Sequence, residues 1–182
     1  MRLAYPVALV ICCAGTAAPA AVSVFGNTAA RSCYEAALRE QYSAANLGIC
    51  DDALADRGLG LRDRVATYVN RGILHVQHGA FAEAIADYDR AIALDAAEPD
   101  AYLNKGLALL RRDGSGEQAA PLFSMAIERG TREPAIAYYV RGVANELNGD
   151  IPEAYADLRR AVQLAPDWDV PARDLARFVV VN

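Results

Sequence analysis

Tyr68-Val69-Asn70-Arg71-Gly72, followed by Ala84-Ile85-Ala86-Asp87-Tyr88-Asp89-Arg90-Ala91, is the stretch on which the fold of this chain turns. Its tyrosine recurs as Tyr102 and Tyr138, at spacings of 34 and 36. Its glycine recurs as Gly106 and Gly142, four residues after each tyrosine and always preceded by a basic residue, Arg71, Lys105 or Arg141. The second half repeats as well: Ala84, Ala119 and Ala154; Tyr88, Phe123 and Leu158; Ala91, Ala126 and Ala161, with 35 residues between successive members of each set. A period of this length marks an array whose copies are single supersecondary units. Each copy is predicted to be a helix pair, because two antiparallel helices approach closely only where small side chains meet. Gly72 is expected to face Ala84 and Ala91, with Tyr88 filling the same face at helical spacing. Gln77-His78-Gly79-Ala80, Arg112-Asp113-Gly114-Ser115-Gly116 and Asn148-Gly149-Asp150 supply the turns, with glycine available for positive φ. Pro152 suits the first turn of a second helix, where a missing N–H costs nothing, and Pro166 closes that helix.

The pattern Tyr-x2-basic-Gly, glycine turn, Ala-x3-aromatic-x2-Ala resembles the tetratricopeptide repeat, most closely at Asn70-Arg71-Gly72 and from Tyr88 to Asp95. The resemblance runs from about Val65 to Trp168 and divides into repeats at 65–98, 99–134 and 135–168. The second copy departs by an insertion around Asp113 to Gly116, and Ala96 and Thr131 stand where the family has a late proline. The resemblance implies an all-α, right-handed α-solenoid of antiparallel helix pairs. Such an array needs both ends covered, since each repeat exposes an apolar face to the next. Ala176 follows Gly142 by 34 residues, so Val170 to Val180, within 169–182, is expected to be a capping helix with Ala172, Leu175 and Val179 on one face. In 22–64, Ala30–Arg39 and Ala44–Ala55 are expected to form a divergent helical hairpin that holds Cys33 opposite Cys50.

Abundant alanine and few β-branched runs outside the ends agree with an all-α chain. A net charge of −5 excludes a nucleic-acid backbone as the main partner, since phosphate binding needs a basic stripe. The first residues differ from the rest. Arg2 precedes an uncharged run from Leu3 to Thr28, most apolar at Leu9-Val10-Ile11-Cys12-Cys13 and ending in the small-residue sequence Ala18-Pro19-Ala20. That pattern is a secretory signal, residues 1–21, cut near Ala20 or Ala21. An uncleaved anchor is the alternative, and both place the remainder in the periplasm or outside the cell, as an exported bacterial repeat protein with no membrane insertion once the signal is removed. Processing leaves Cys33 and Cys50, an even pair in an oxidising compartment, which points to a disulfide; two buried free thiols are the alternative.

Catalytic signatures are missing from the sequence. His75 and His78 stand three apart, but no further histidine is present, and packing with a helix C-terminal charge accounts for them. Asp51-Asp52 and Asp87-Tyr88-Asp89 fall in helical settings as solvated faces, and there is no phosphate loop, Gly-x-Ser-x-Gly elbow or His-Glu-x-x-His. The expectation is a non-catalytic protein with no metal and no cofactor. In the repeats this chain resembles, the first helices line a concave groove. The residues three before, one after and four after each glycine are then Val69, Ile73 and Val76; Leu103, Leu107 and Leu110; and Tyr139, Val143 and Glu146. Eight of the nine are apolar, a partner-site signal unless neighbouring helices of the chain cover them. Leu107 is the central member. Relatives that hold the acidic tails of heat-shock chaperones carry a lysine and an asparagine where Val69 and Ile73 stand, so that carboxylate clamp is not expected. Two functions fit: an envelope interaction scaffold that captures a partner segment in this groove, or a structural subunit of an envelope complex assembled through its convex face or ends.

Overall fold

The computed structural model describes residues 2–4 and 20–181. The proposed signal core, with Cys12, Cys13 and Ala18-Pro19, lies outside the described residues. After the short strand β1 (Arg2–Ala4) and an extended segment at 20–26 come α1 (Thr28–Leu38), α2 (Ala44–Ala55), α3 (Leu61–Gln77), α4 (Phe81–Leu94), α5 (Pro99–Asp113), α6 (Ala119–Glu128), α7 (Pro134–Asn148), α8 (Ile151–Leu164), α9 (Asp169–Leu175) and β2 (Val179–Val181). Consecutive helices pair as antiparallel hairpins, and the hairpins stack: α3, α5 and α7 form one layer, with α1 packed on α3, while α4, α6 and α8 form the other. This is the α-solenoid that the repeats imply.

Local sequence sets the element ends. Asn27 accepts from the N–H of Ala30 and Ser43 from that of Asn46, capping α1 and α2. Pro99, Pro134 and Pro152 enter the first turns of α5, α7 and α8. Gly114 and Gly149 end α5 and α7 in the left-handed region, at φ 64° and 84°, where a side chain would be strained.

The small-residue rule holds with a shift in partner. A Cβ on Gly72 would meet the Tyr88 ring at 2.6 Å, and one on Gly106 would meet the Phe123 ring at 2.5 Å. The nearest neighbour of each glycine is therefore the aromatic ring, with Ala84, Ala91, Ala119 and Ala126 fully buried in the same clusters. In the third repeat Leu158 replaces the aromatic ring, and a Cβ on Gly142 would meet it at 3.2 Å, a looser fit. The basic residue before each glycine reaches the second helix. Arg71 forms a fork with Asp87 at 2.6 and 2.8 Å, and Arg141 does the same with Asp157 at 2.7 and 2.8 Å. In the second repeat Leu122 takes the place of the acid, and Lys105 turns instead to Asp89 of the preceding hairpin.

Two sequence expectations change. The last helix stops at Leu175 and does not run on to Val180; Val179-Val180-Val181 forms β2, antiparallel to β1. Three successive β-branched residues lose side-chain freedom in a helix and favour a strand. At the other end α3 begins at Leu61, which brings Asp63 and Arg64 into its first turn. Within the hairpin α1–α2 the Cys33 and Cys50 sulfurs lie 2.04 Å apart, and both residues are fully buried.

Candidate functional site

The face of α3 and α5 that the first helices share is not empty. Residues 20–26 run across it in extended conformation, antiparallel to the order of the repeats: Ala20 lies at α5, Val22 at α3, and Phe25 and Gly26 at the start of α3. Asn104 accepts from the Ala20 N–H at 3.3 Å and donates to its carbonyl at 3.0 Å. Asn70 does the same with Val22, at 2.9 and 2.8 Å. The Asp63 carboxylate accepts the N–H groups of Phe25 and Gly26 at 3.2 and 3.0 Å. Side chains alternate as in a strand: Ala20, Val22 and Val24 are buried, whereas Phe25 points out at 65% exposure. Val22 and Val24 join the cluster of Val65, Val69 and Ile73, and Ala20 joins that of Tyr102 and Leu103.

The nine residues expected to line the groove divide. Val69, Ile73, Leu103, Tyr139 and Glu146 are buried, while Val76, Leu107, Leu110 and Val143 are half-buried. Part of this burial comes from the chain's own C-terminal end. Tyr139 donates to Asp174 at 2.8 Å and packs edge-on against Trp168, with ring centres 5.0 Å apart. Glu146 is forked to Arg177 at 2.8 and 2.9 Å. Burial, helped by the bond to Asp174, pushes the Tyr139 hydroxyl above its usual range. The apolar surface left half open therefore centres on Leu107, Leu110 and Val143. Next to Ala20 a cavity of about 210 Å³ opens between Leu38, Asp100, Arg132 and Ile136.

Asn70, Asn104 and Asp63 are the residues that sequence reasoning did not place at the site. The available signal was that Asn70 and Asn104 hold the same repeat position, two residues after Tyr68 and Tyr102. Val140 holds that position in the third repeat, so the amide pair ends after two copies.

Asp87, His75 and His78 have structural partners. Asp87 and Tyr88, expected on a solvated face, are buried instead, Asp87 between Arg71 and His75 because its carboxylate pairs with the Arg71 guanidinium across the helix crossing. Burial works against the Arg71 charge, but the bonds and charge of Asp87 outweigh it and hold the guanidinium above its ordinary pKa. Burial lowers the pKa of His75. His78 stacks on Tyr42, with ring centres 4.3 Å apart. Among the described residues no group of three or more histidine, cysteine or acidic side chains is placed to hold a metal ion, and no helix is long and apolar enough to cross a membrane.

Stacked helix hairpins presenting a lined inner face define a helical-repeat interaction module. Residues 67–112 match the TPR repeat family and residues 111–167 match the tetratricopeptide repeat family, so this chain is a tetratricopeptide-repeat protein. No curated protein sequence matches the chain. Among solved structures it is similar to MamA of Desulfovibrio magneticus, at 18% identity and a TM-score of 0.67, covering 82% of each chain. It is also similar to the TPR domain of Arabidopsis OM64, at 25% identity and a TM-score of 0.61, over 65% of this chain and 96% of that one. A third is the first TPR domain of RPAP3 bound to the HSP90 peptide SRMEEVD, at 23% identity and a TM-score of 0.59, over 62% of this chain and 88% of that one.

Proposed function

We propose that this protein is a non-catalytic interaction scaffold of the cell envelope that binds a segment of a partner protein in the groove of its first helices. The observation that carries this reading is that the groove already holds an extended polypeptide, the chain's own residues 20–26, through paired asparagine side-chain bonds to its backbone and alternating apolar contacts. The RPAP3 domain, of the same fold, was solved bound to an HSP90 peptide. Leu107, Leu110 and Val143 extend the apolar lining beyond the segment. Leu107→Glu is expected to weaken capture of the partner by about 2 kcal/mol or more, the usual cost of losing a central desolvated contact. Pull-down from envelope extract and a thermal melt, each beside the parent, check it. Unchanged capture by a folded variant moves the partner site off the groove, and loss of folding makes Leu107 a core residue.

The envelope location rests on the amino-terminal signal pattern and on the facing pair Cys33 and Cys50, whose bridge an oxidising compartment sustains. Expressed in a bacterium, the soluble protein should begin at Ala21 or Val22. N-terminal sequencing reads this directly, and an intact Met1 on the soluble form removes the processing. Phe25 and Leu61, exposed at 65% and 58%, favour the second reading, a structural subunit docked by its amino-terminal end. Light scattering of the native extract separates the two, since a permanent assembly elutes as one stable complex.

A further inference from the structure

Asn70 and Asn104 each bind one residue of the extended segment 20–26, the strap, and in both cases the same way: the side-chain carbonyl takes the N–H and the side-chain NH₂ gives to the C=O of that residue. This closed pair reproduces the exchange between facing residues of an antiparallel ladder, so it grips extended backbone whatever side chain that backbone carries. Both asparagines are buried, at 0% and 2% exposure. A buried amide without a partner is costly, which makes an occupant of this groove a requirement of the fold's polar bookkeeping. Side-chain selection comes from the alternate positions. Those of Ala20, Val22 and Val24 enter the apolar clusters; between them Ala21 packs half-buried against the edge of the first cluster and Ser23 is half-buried and polar.

We propose that this groove is a receptor for an extended strand of a partner protein with small aliphatic residues at alternate positions, and that residues 20–26 are its resident, displaceable ligand. The proposal rests on the groove reading above and names the chemistry of what binds there. The strap itself supplies the argument for the occupant, because its backbone and its Ala-x-Val-x-Val pattern show what the two amides and the apolar clusters accept. As a tethered competitor it acts at an effective concentration on the order of millimolar, so a free strand meets an occupied site. Processing after Ala20 would change this balance. It removes the residue that Asn104 holds and leaves Val22 on Asn70, so the processed chain presents one filled and one open amide. A partner strand can then enter at α5 and displace the strap toward Gly26.

The probe is the peptide Ala-Ala-Val-Ser-Val-Phe-Gly with blocked ends, titrated calorimetrically into the full chain with its cysteines oxidised. Val22→Asp with Val24→Asp, which ejects the strap by placing carboxylates in the apolar clusters, should bind the peptide at least tenfold tighter than the parent. A peptide with both valines replaced by aspartate should not bind. Adding Asn70→Ala and Asn104→Ala to the ejected variant should weaken binding at least tenfold while helix content is retained. Equal or absent binding to a folded ejected variant overturns the proposal. Should that variant not fold, Val24→Ser replaces it under the same criterion. Hydrogen exchange on the parent needs no variant: the Val22 amide should exchange far faster than the core amides of α3 and α5, and equal protection overturns displaceability. A parent that forms concentration-dependent dimers with exchanged straps overturns the assignment of the strap to its own groove. Peptide failure combined with loss of partner capture by Leu107→Glu would reject the strand chemistry while leaving the groove as the partner site.

Discussion

Gly106→Leu should lower the melting temperature by roughly 6–12 °C, taking about 3 kcal/mol, the upper end of overpacking, as its cost. The reason is local and severe. A mere Cβ at Gly106 would stand 2.5 Å from Cε1 and 2.9 Å from Cδ1 of Phe123, and Phe123 is itself fully buried at the α5–α6 crossing, with no room to swing aside. The comparison is Arg112→Ala, six residues along the same helix, whose exposed guanidinium pairs with the adjacent Asp113 and should leave the melt unchanged. The geometry also orders the three glycines. Gly142 has its closest neighbours at 3.2 Å, so Gly142→Ala should cost less than Gly106→Ala. Thermal melts of the four variants test both statements. Equal melting temperatures for Gly106→Leu and Arg112→Ala would contradict the packing register of the second repeat.

Loss of the Cys33–Cys50 link is the second large effect. The two residues are 17 apart, and closing a loop of that size stabilises by about 3 kcal/mol in the chain-entropy account. The hairpin that carries it is otherwise held by its packing on α3, by the Arg71–Asp51 pair and by the Arg64 bonds to the carbonyls of Leu54 and Asp56. Helices α1 and α2 are 11 and 12 residues long, too short to persist alone, and in α2 the buried residues are Cys50 and Ala53. Cys50→Ser, or reduction of the parent, should therefore lower the melting temperature and expose α1 and α2 to hydrogen exchange before α5 to α8. Non-reducing peptide mapping identifies the bridge. Free thiols at both positions in protein taken from the periplasm, or a melt indifferent to reductant, would remove it.

Much of the fold was legible because it is written periodically. Tyr68, Tyr102 and Tyr138, the three glycines and the alanine sets are short-range requirements of one helix crossing repeated three times, and each copy restates the same packing problem in the same residue types. The groove was legible only as far as that periodicity reaches. The apolar positions from Val69 to Val143 follow from helical register, but what covers each of them does not. Tyr139 and Glu146 sit at the same repeat positions as Val69 and Val76, yet Asp174 and Arg177 engage them, because the array ends there and the last turns fold onto the exposed face.

By itself the sequence determined the helix pairs, their number and order, the crossing glycines and the opposition of Cys33 to Cys50. All of these are fixed by contacts between residues a turn or a hairpin apart. Tertiary structure alone decided that residues 20–26 lie in the groove. The bonds that hold them join Val22 to Asn70 and Ala20 to Asn104, across 48 and 84 residues, and an asparagine amide that binds backbone asks for no particular side chain from its partner. The strap's Ala-x-Val-x-Val alternation gives it one apolar face but does not say which helices it crosses. On the receiving side the trace is limited to Asn70, Asn104 and Asp63, whose meaning appears only when the helices are stacked and these side chains converge on one extended chain.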